Sequence, residues 1–527
     1  MYLITSAAVV ASELQSEFGP LPPSFLPVGN KRLFNHQLAT IPDGERILLT
    51  LPEGFIPGTY DNQVLMEKNV ELLYLPGNLK LGESVVLALN LIEFDPAEPL
   101  FILHGDTLFG KLPDETDLLG LSKVEDNYDW AEYEAETGLL RKCRVDQPSV
   151  SELIATGFFS FSAPKTLIRH IIMADWDFIG GINGYIKDKG LTPWLQDEWY
   201  DFGHCQTYYQ SKTRITTQRA FNEMTITGQV VSKKSKKKFK LEAEANWYKS
   251  VPGALRVYIP QLLATEETIN QFGYKIEYLH LTALNELYVF SQLPAFAWGK
   301  IFKACCQFLQ DASQYQTINQ NSFEDYFAGK TRARLVEFKF HTLFDIDKPL
   351  IVNGIKQLSL VSLAEYSLEF LPKDDGRNNI LHGDFCFSNI LYDFRTCNIK
   401  VIDPRGVDAS DNQSIYGNTL YDIAKLSHSV IGLYDSIIAG YFTANIKDQE
   451  LEFNINVTDR HQKIIIDFVN LIHKQFGVNE IQLCAMQIQL FISMLPLHSD
   501  RPDRQLGFLG NAYRLYDRIK ILIGSNK

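Results

Sequence analysis

Residues 381–403 read LHGDFCFSNILYDFRTCNIKVID, and this stretch decides how the rest of the chain is read. His382-Gly383-Asp384 is followed, five residues after the Asp, by Asn389 and then by apolar Ile390-Leu391-Tyr392. A turn at Asp393–Asn398 leads into Ile399-Lys400-Val401-Ile402 and ends on Asp403. The pattern predicts two short apolar strands joined by a turn, with polar residues at their ends. Those polar residues are of the kinds phosphoryl transfer needs: a carboxylate to orient a hydroxyl and take its proton, and oxygen donors for Mg²⁺. The competing reading, a buried hairpin whose polar residues only cap turns, has to place all three at these spacings independently.

The surrounding composition suits a globular chain. Of 527 residues, 45% are hydrophobic and 21% charged, and roughly 100–200 residues per domain implies two to four domains. A net charge of −13 argues against nucleic acid or an anionic membrane as the main partner, because both demand a basic face. The seven cysteines show no metal-ligand spacing and read as reduced thiols of a cytosolic protein. The N-terminal MYLITSAAVV reads as a buried first strand, since no basic segment precedes it and polar ASELQSE follows. No apolar run reaches the roughly 20 residues of a membrane span.

The first ~215 residues alternate short apolar runs with helical patterns. Strands are expected at Tyr2–Thr5, Arg46–Leu51, Leu72–Leu75 and Leu100–His104, with helices near Asn35–Ala39, Gln63–Asn69 and Ser84–Leu91. This α/β alternation predicts a doubly wound, mostly parallel sheet that binds ligands at the carboxyl ends of its strands. The pattern breaks near Thr213–Glu223, and KKSKKK (Lys233–Lys238) follows. The expected division is residues 1–215, then 222–527. The second part would be two-lobed, with a sheet-rich lobe to about residue 285 and a helical lobe beyond.

The segment 381–403 resembles the aminoglycoside phosphotransferase and choline kinase family, whose signature is H-G-D-x-x-x-x-N followed by I-D. The resemblance implies a protein-kinase-like α+β fold, Asp384 as catalytic base, and Asn389 and Asp403 as Mg²⁺ ligands. Asp403-Pro404-Arg405-Gly406 is most similar to the antibiotic kinases of that group, which makes Arg405 a substrate-side candidate. Val230-Val231-Ser232-Lys233 resembles the strand whose lysine meets the ATP phosphates, with Lys234 as competitor on the opposite strand face. Glu244 would pair that lysine. Tyr274–Leu279, YKIEYL, resembles the hinge, where the backbone of Glu277 and Leu279 would meet adenine. Tyr421–Ser429, YDIAKLSHS, resembles the helix after the metal site. LHSDRPDRQ (Leu497–Gln505) offers Arg501 as a substrate contact, or else is a charged connection between helices.

The N-terminal part carries a second resemblance. LPPSFLPVGNKRLFNHQL (Leu21–Leu38) is similar to the sugar-phosphate nucleotidyltransferase family. That likeness implies Asp106 in FILHGDTLF and Asp201 in EWYDFGH as Mg²⁺ ligands, Gly82 in the nucleotide-base loop and Gly157 in the sugar-contacting strand. The family's glycine-rich triphosphate loop corresponds to Ser6–Ser12, SAAVVAS, where Ala7 and Ala8 would approach the nucleotide. It holds neither glycine nor arginine, and Pro23 stands where the family has a lysine.

Together the two resemblances imply a cytoplasmic fusion enzyme that uses Mg²⁺, ATP and a second NTP. The kinase would phosphorylate a small sugar or alcohol. The N-terminal domain would then couple that phosphate to a nucleotidyl group, giving a precursor for capsule or surface polysaccharide. Two alternatives stay open: a kinase carrying a non-catalytic nucleotidyltransferase-like scaffold, and a choline or amino-alcohol kinase joined to a cytidylyltransferase. The sequence leaves the oligomeric state open.

Overall fold

The structure is a computed structural model, and it describes residues 1–123, 130–142, 151–215, 223–227, 229–317, 323–342, 344–374 and 376–525. The expected change of character at Thr213–Glu223 falls partly on residues outside that set. The chain divides into two compact units: Met1–Ile215 with Phe290–Gln292, and Thr216–Val289 with Leu293–Lys527. No helix among the described residues is long and apolar enough to cross a membrane.

The first unit is built on a nine-stranded sheet. Its parallel core runs Val70–Leu75, Ile47–Pro52, Tyr2–Thr5, Leu100–His104, in that spatial order. These strands are rich in Leu and Ile. Ile47–Pro52 is buried at every position, as a strand covered on both faces must be. Beyond Leu100–His104 the sheet changes sense. The nine-residue strand Leu153–Phe161 pairs with it antiparallel and also meets Leu118–Lys123 and Ala131–Glu134 antiparallel. The sheet is therefore mixed rather than mostly parallel. Helical crossovers feed the first four strands in one direction, whereas Leu153–Phe161 follows the strands Leu118–Lys123, Ala131–Glu134 and Leu139–Lys142 in the chain and pairs in the opposite sense. Apolar side chains of the helices Leu81–Asn90, Pro164–Met173 and Phe178–Asp188 pack on this sheet, among them Val85, Leu89, Leu167, Ile171 and Ile182. At about 25 cal/mol per Å² of apolar surface, each such side chain contributes about 1.5–3 kcal/mol.

The second unit begins with a four-stranded antiparallel sheet ordered Glu223–Ile226, Val230–Ser235, Phe272–Glu277, Leu262–Glu267. The helix Lys238–Ser250 packs on it, with Tyr248 against the Tyr274 ring, and also buries Leu241, Ala245 and Trp247. Trp247 is fully buried, and its indole Nε1 donates to the carbonyl of Leu381 at 2.7 Å. The rest is mainly helical, led by Ala295–Ser313, Ala328–Thr342, Thr419–Val430, Asp459–Phe476, Glu480–Met494 and Pro502–Ser525, with a second four-stranded sheet ordered Ile355–Lys356, Ile351–Val352, Glu450–Ile455, Phe442–Lys447. Into these helices is set the hairpin Ile390–Asp393 and Asn398–Val401, at the place the sequence predicts.

Candidate active sites

In the second unit, the strand Val230–Ser235 alternates its side chains, and this separates two adjacent lysines. Lys233 is 6% exposed, with its ammonium 3.5 Å from Glu244 Oε2 and in an ion pair with Asp403. Lys234 points the other way and pairs with Glu266 at the surface, 3.3 Å away. Glu244, buried on the helix Lys238–Ser250, also accepts from Tyr274 Oη at 2.8 Å. Register explains this meeting, because Lys233 lies directly opposite Tyr274 in the sheet.

Asp403 follows the strand Asn398–Val401 with φ +57, a left-handed conformation that Asp tolerates better than most residues. Its amide donates to Tyr248 Oη at 3.1 Å. Three residues on, Gly406 has φ +67, and a Cβ there would stand 2.2 Å from the carbonyl oxygen of Ala243. The loop after Asp403 thus lies against the backbone of the Glu244 helix, which only glycine permits.

Asp384 is held from two sides. Asn389 Nδ2 donates to its Oδ2 at 2.9 Å, and Lys425 Nζ lies 3.0 Å from its Oδ1. Asn389 Nδ2 also donates to the Asp384 carbonyl at 2.9 Å. Both partners are acceptors, so the amide nitrogen faces them and Oδ1 is turned away. Partial burial would raise the Asp384 carboxyl, but Lys425, His382 and the Asn389 bond together draw it down to about 2. The turn that presents Asp384 is clamped by Asp422, whose two oxygens accept from the amides of His382 and Gly383 at 2.8 Å each. Burial pushes Asp422 up to about 7 against those two bonds. His382 is fully buried, and burial lowers it to about 4, so it is a neutral strut bonded to the Ile402 carbonyl at 2.9 Å.

The segment Tyr421–Ser429 lies within the helix Thr419–Val430, which Asn418 caps by accepting from the Leu420 amide at 2.9 Å. Asp422 and Lys425 are three apart and therefore share a helix face. That spacing was legible in YDIAKLSHS, but the sequence reading gave neither residue a role. Tyr248 was missed as well, with no signal beyond an aromatic near Glu244.

The remaining candidates divide. The Arg405 amide donates to the His382 carbonyl at 2.8 Å, while its guanidinium reaches Asp411 at 2.7 Å. At the hinge, the Glu277 amide donates to the Gln261 carbonyl at 2.9 Å, and the Leu279 carbonyl accepts from Leu281 at 2.8 Å. Arg501 lies in an exposed turn before the helix Pro502–Ser525 and pairs with Asp503 at 2.7 Å.

In the first unit, the carboxyl end of Leu100–His104 opens on a cavity of about 550 Å³ whose wall includes Gly82, Asp106, Gly157 and Asp201. Two short strands bring the carboxylates together: Trp199–Asp201 pairs antiparallel with Thr107–Phe109, and the Phe202 amide donates to the Asp106 carbonyl at 2.8 Å. A methyl group built on Gly203 would stand 2.7 Å from Asp106 Oδ2 and 3.4 Å from Asp201 Oδ1, so both carboxylates border one space. Burial and then the nearby Asp106 push Asp201 up to about 7. Two hard oxygen groups disfavouring each other's charge fit a divalent cation. Among the described residues, no group of three or more His, Cys, Asp or Glu side chains could hold a metal, so further ligands would have to be substrate oxygens or water.

Gly82 opens the helix Leu81–Asn90, and a Cβ there would meet the Trp176 carbonyl oxygen at 2.3 Å. Gly157 sits where the register of Leu153–Phe161 shifts, against the His104 ring. Ala7 and Ala8 are not part of the cavity wall. What the sequence reading did not foresee is the tryptophan content, because Trp130, Trp176 and Trp199 all line the cavity. Trp199 Nε1 donates to Thr107 Oγ1 at 2.6 Å, next to the carboxylates. Of the three, Trp199 stands inside EWYDFGH, two residues before Asp201, and only Trp130 and Trp176 had no such signal in the sequence.

No family model matches the chain, and no curated protein matches it. Among solved structures, the chain is similar to the inositol-1-phosphate CTP transferase from T. maritima, at 20% identity over 42% of this chain and 97% of that one, with a TM-score of 0.32. It is also similar to an aminoglycoside phosphotransferase in complex with AMP-PNP and hygromycin B, at 12% identity over 57% of this chain and 91% of that one, TM-score 0.37. A third is a fructosamine-3-kinase from Haemophilus somnus 129PT, at 11% identity over 57% and 89%, TM-score 0.33. These likenesses fall in the two groups that the sequence resembles, a nucleotidyltransferase and small-molecule kinases.

Proposed function

We propose that the chain is a bifunctional transferase: residues 222–527 phosphorylate a small hydroxyl substrate with ATP, and residues 1–215 transfer a nucleotidyl group to the phosphorylated product. The observation that carries the kinase half is the joining of Lys233, Glu244 and Asp403 beside Asp384 with its Lys425 and Asn389 partners. In that reading Asp384 takes the proton of the acceptor hydroxyl as its oxygen bonds to the γ-phosphorus. The bond from that phosphorus to the β-phosphate bridging oxygen then breaks and ADP leaves. Lys233 holds the phosphates, oriented by Glu244. Asn389 Oδ1 and the Asp403 carboxylate are the oxygen donors suited to Mg²⁺, and Asp403 already accepts a cation in the form of Lys233. Mg²⁺ bound there supplies charge neutralisation for the phosphoryl oxygens. The hinge groups of Glu277 and Leu279 are the proposed adenine contacts.

In the first unit, support comes from Asp106 and Asp201 bordering one space in a cavity of about 550 Å³. A phosphate oxygen of the substrate would attack the α-phosphorus of an NTP and pyrophosphate would leave, with the two carboxylates holding Mg²⁺ and the tryptophans giving flat faces to the base or sugar. The product would be an activated donor, placed in capsule or surface-polysaccharide synthesis. A second reading, a non-catalytic first unit, is favoured by one observation: the loop Ser6–Ser12 holds neither glycine nor arginine.

The test is pyrophosphate release by the full chain from each NTP across a panel of sugar and alcohol phosphates, beside ATP consumption with the unphosphorylated compounds. Release that Asp106→Ala abolishes is the expected result. No release from any pair, with ATP consumption intact, would leave the kinase and overturn the nucleotidyl step.

A further inference from the structure

Phosphoryl transfer in the second unit accounts for Lys233 and for the Lys425–Asp384 pair, yet the acceptor side of Asp384 carries more positive charge than these. Three cations on three separate elements converge there. Lys425, on the helix Thr419–Val430, is 3.0 Å from Asp384 and 5.9 Å from the centre of the Tyr421 ring. Arg405 is tied by its amide to the carbonyl of His382, two residues before Asp384. Lys330 lies in the helix Ala328–Thr342, one turn past Tyr326 and Phe327, and both of those rings pack on Tyr421, at 4.5 and 5.8 Å.

Lys330 is the informative member. It is partly buried, yet no carboxylate among the described residues forms an ion pair with it. Burial lowers its pKa, and Arg405 and Lys425 lower it further, while Tyr421 and Asp411 offset part of this. Among the described residues, four acids face the group, and each has another partner: Asp384 pairs with Lys425, Asp411 with Arg405, Asp422 accepts from the amides of His382 and Gly383, and Asp408 from those of Ser410 and Asn412. Lys330 is only half-buried, so its ammonium is open both to water and to a bound ligand. A bound anion supplies its missing partner.

We infer that the acceptor is an anionic alcohol, whose hydroxyl meets Asp384 while its carboxylate or phosphate is read by Lys330 and Arg405. This rests on the kinase reading. It excludes the amino-alcohol variant, because a cationic head is held by carboxylates and aromatic faces, not by a lysine and an arginine. It also narrows "sugar or alcohol" to sugar acids, hydroxy acids or phosphate monoesters that retain a free hydroxyl. Arginine's planar fork suits either anion, and lysine adds a point charge.

The test measures ATP consumption by the full chain with matched acceptors: glycerol, glycerate, glycerol 3-phosphate and ethanolamine, then glucose, glucuronate, glucose 6-phosphate and glucosamine. Expected is a preference for the anionic member of at least one set, with the carboxylate and phosphate arms telling the two sources apart. Lys330→Gln should raise KM for that acceptor about 10- to 100-fold, the loss of a charged hydrogen bond, with kcat changed by less than about threefold. Lys330→Arg should restore it, and Lys330→Glu should erase the preference. Preferred turnover of the neutral or amino members, or a KM indifferent to Lys330→Gln, overturns the inference and leaves the kinase standing. ATP consumption that no acceptor raises and that Asp384→Asn leaves unchanged removes the kinase reading itself.

Discussion

Asp384 and Asp201 sit in different units and solve opposite problems. Asp384 has its counter-charges built in: Lys425 on one oxygen and Asn389 on the other hold it at about 2. Asp201 is buried beside a second carboxylate, Asp106, and is pushed up to about 7. The first is ready as a fixed anion before anything binds. The second, in the proposed reading, gains its counter-charge from a cation brought in from solution. The difference teaches that a carboxylate's charge partners say more about its work than its motif does. The same contrast separates the two proposed nucleotide sites. Lys233 is anchored by Glu244 and Asp403 on a strand, whereas Ala7 and Ala8 offer only backbone.

The largest expected effect is at Asp384 itself. Asp384→Asn should lower ATP turnover about 10²- to 10⁴-fold, the usual worth of a positioned base, while equilibrium binding of ATP is retained. A near-normal rate would break the comparison at its stronger end. Lys425→Met comes next, with a loss of about tenfold or more in kcat and little change in ATP affinity, read by steady-state kinetics. If Lys425→Met were silent, Asp384 would not depend on its built-in partner.

At the other site the prediction changes sign. Asp201→Asn should abolish pyrophosphate release yet raise the melting temperature by about 2–4 °C in metal-free buffer, because it removes a buried charge facing Asp106. A lowered melting temperature would show that the two carboxylates do not oppose each other in the fold. The smallest effect is at Arg501. An exposed pair of this kind is worth about 0–1 kcal/mol, so Arg501→Ala should leave both activities and the melting curve within error. A marked loss of kinase activity would return Arg501 to the acceptor site.

Much of this was legible in the chain, and for physical reasons. The strands Tyr2–Thr5 and Leu100–His104 coincide with the expected ones, since a buried parallel strand needs an unbroken apolar run. The hairpin through Ile390–Val401 was readable because its turn and its alternation are local. Long-range pairing was not readable. Nothing local in Leu153–Phe161 states that it runs antiparallel to Leu100–His104, and that reversal makes the sheet mixed.

By itself, then, the sequence determined the chemistry on offer: an Asp and an Asn five apart, an Asp closing the hairpin, a lysine run on a strand, and two further carboxylates after apolar segments. Spacing along a chain constrains neighbours, and those features are made of neighbours. Only the tertiary structure decided which of two adjacent lysines turns inward to Glu244, that Lys425 and Asp422 serve the Asp384 turn, and that three tryptophans share a cavity with Asp106 and Asp201. The Lys233 contacts with Glu244 and Asp403 join residues 11 and 170 positions apart, and such relations exist only once burial has set one helix or strand against another.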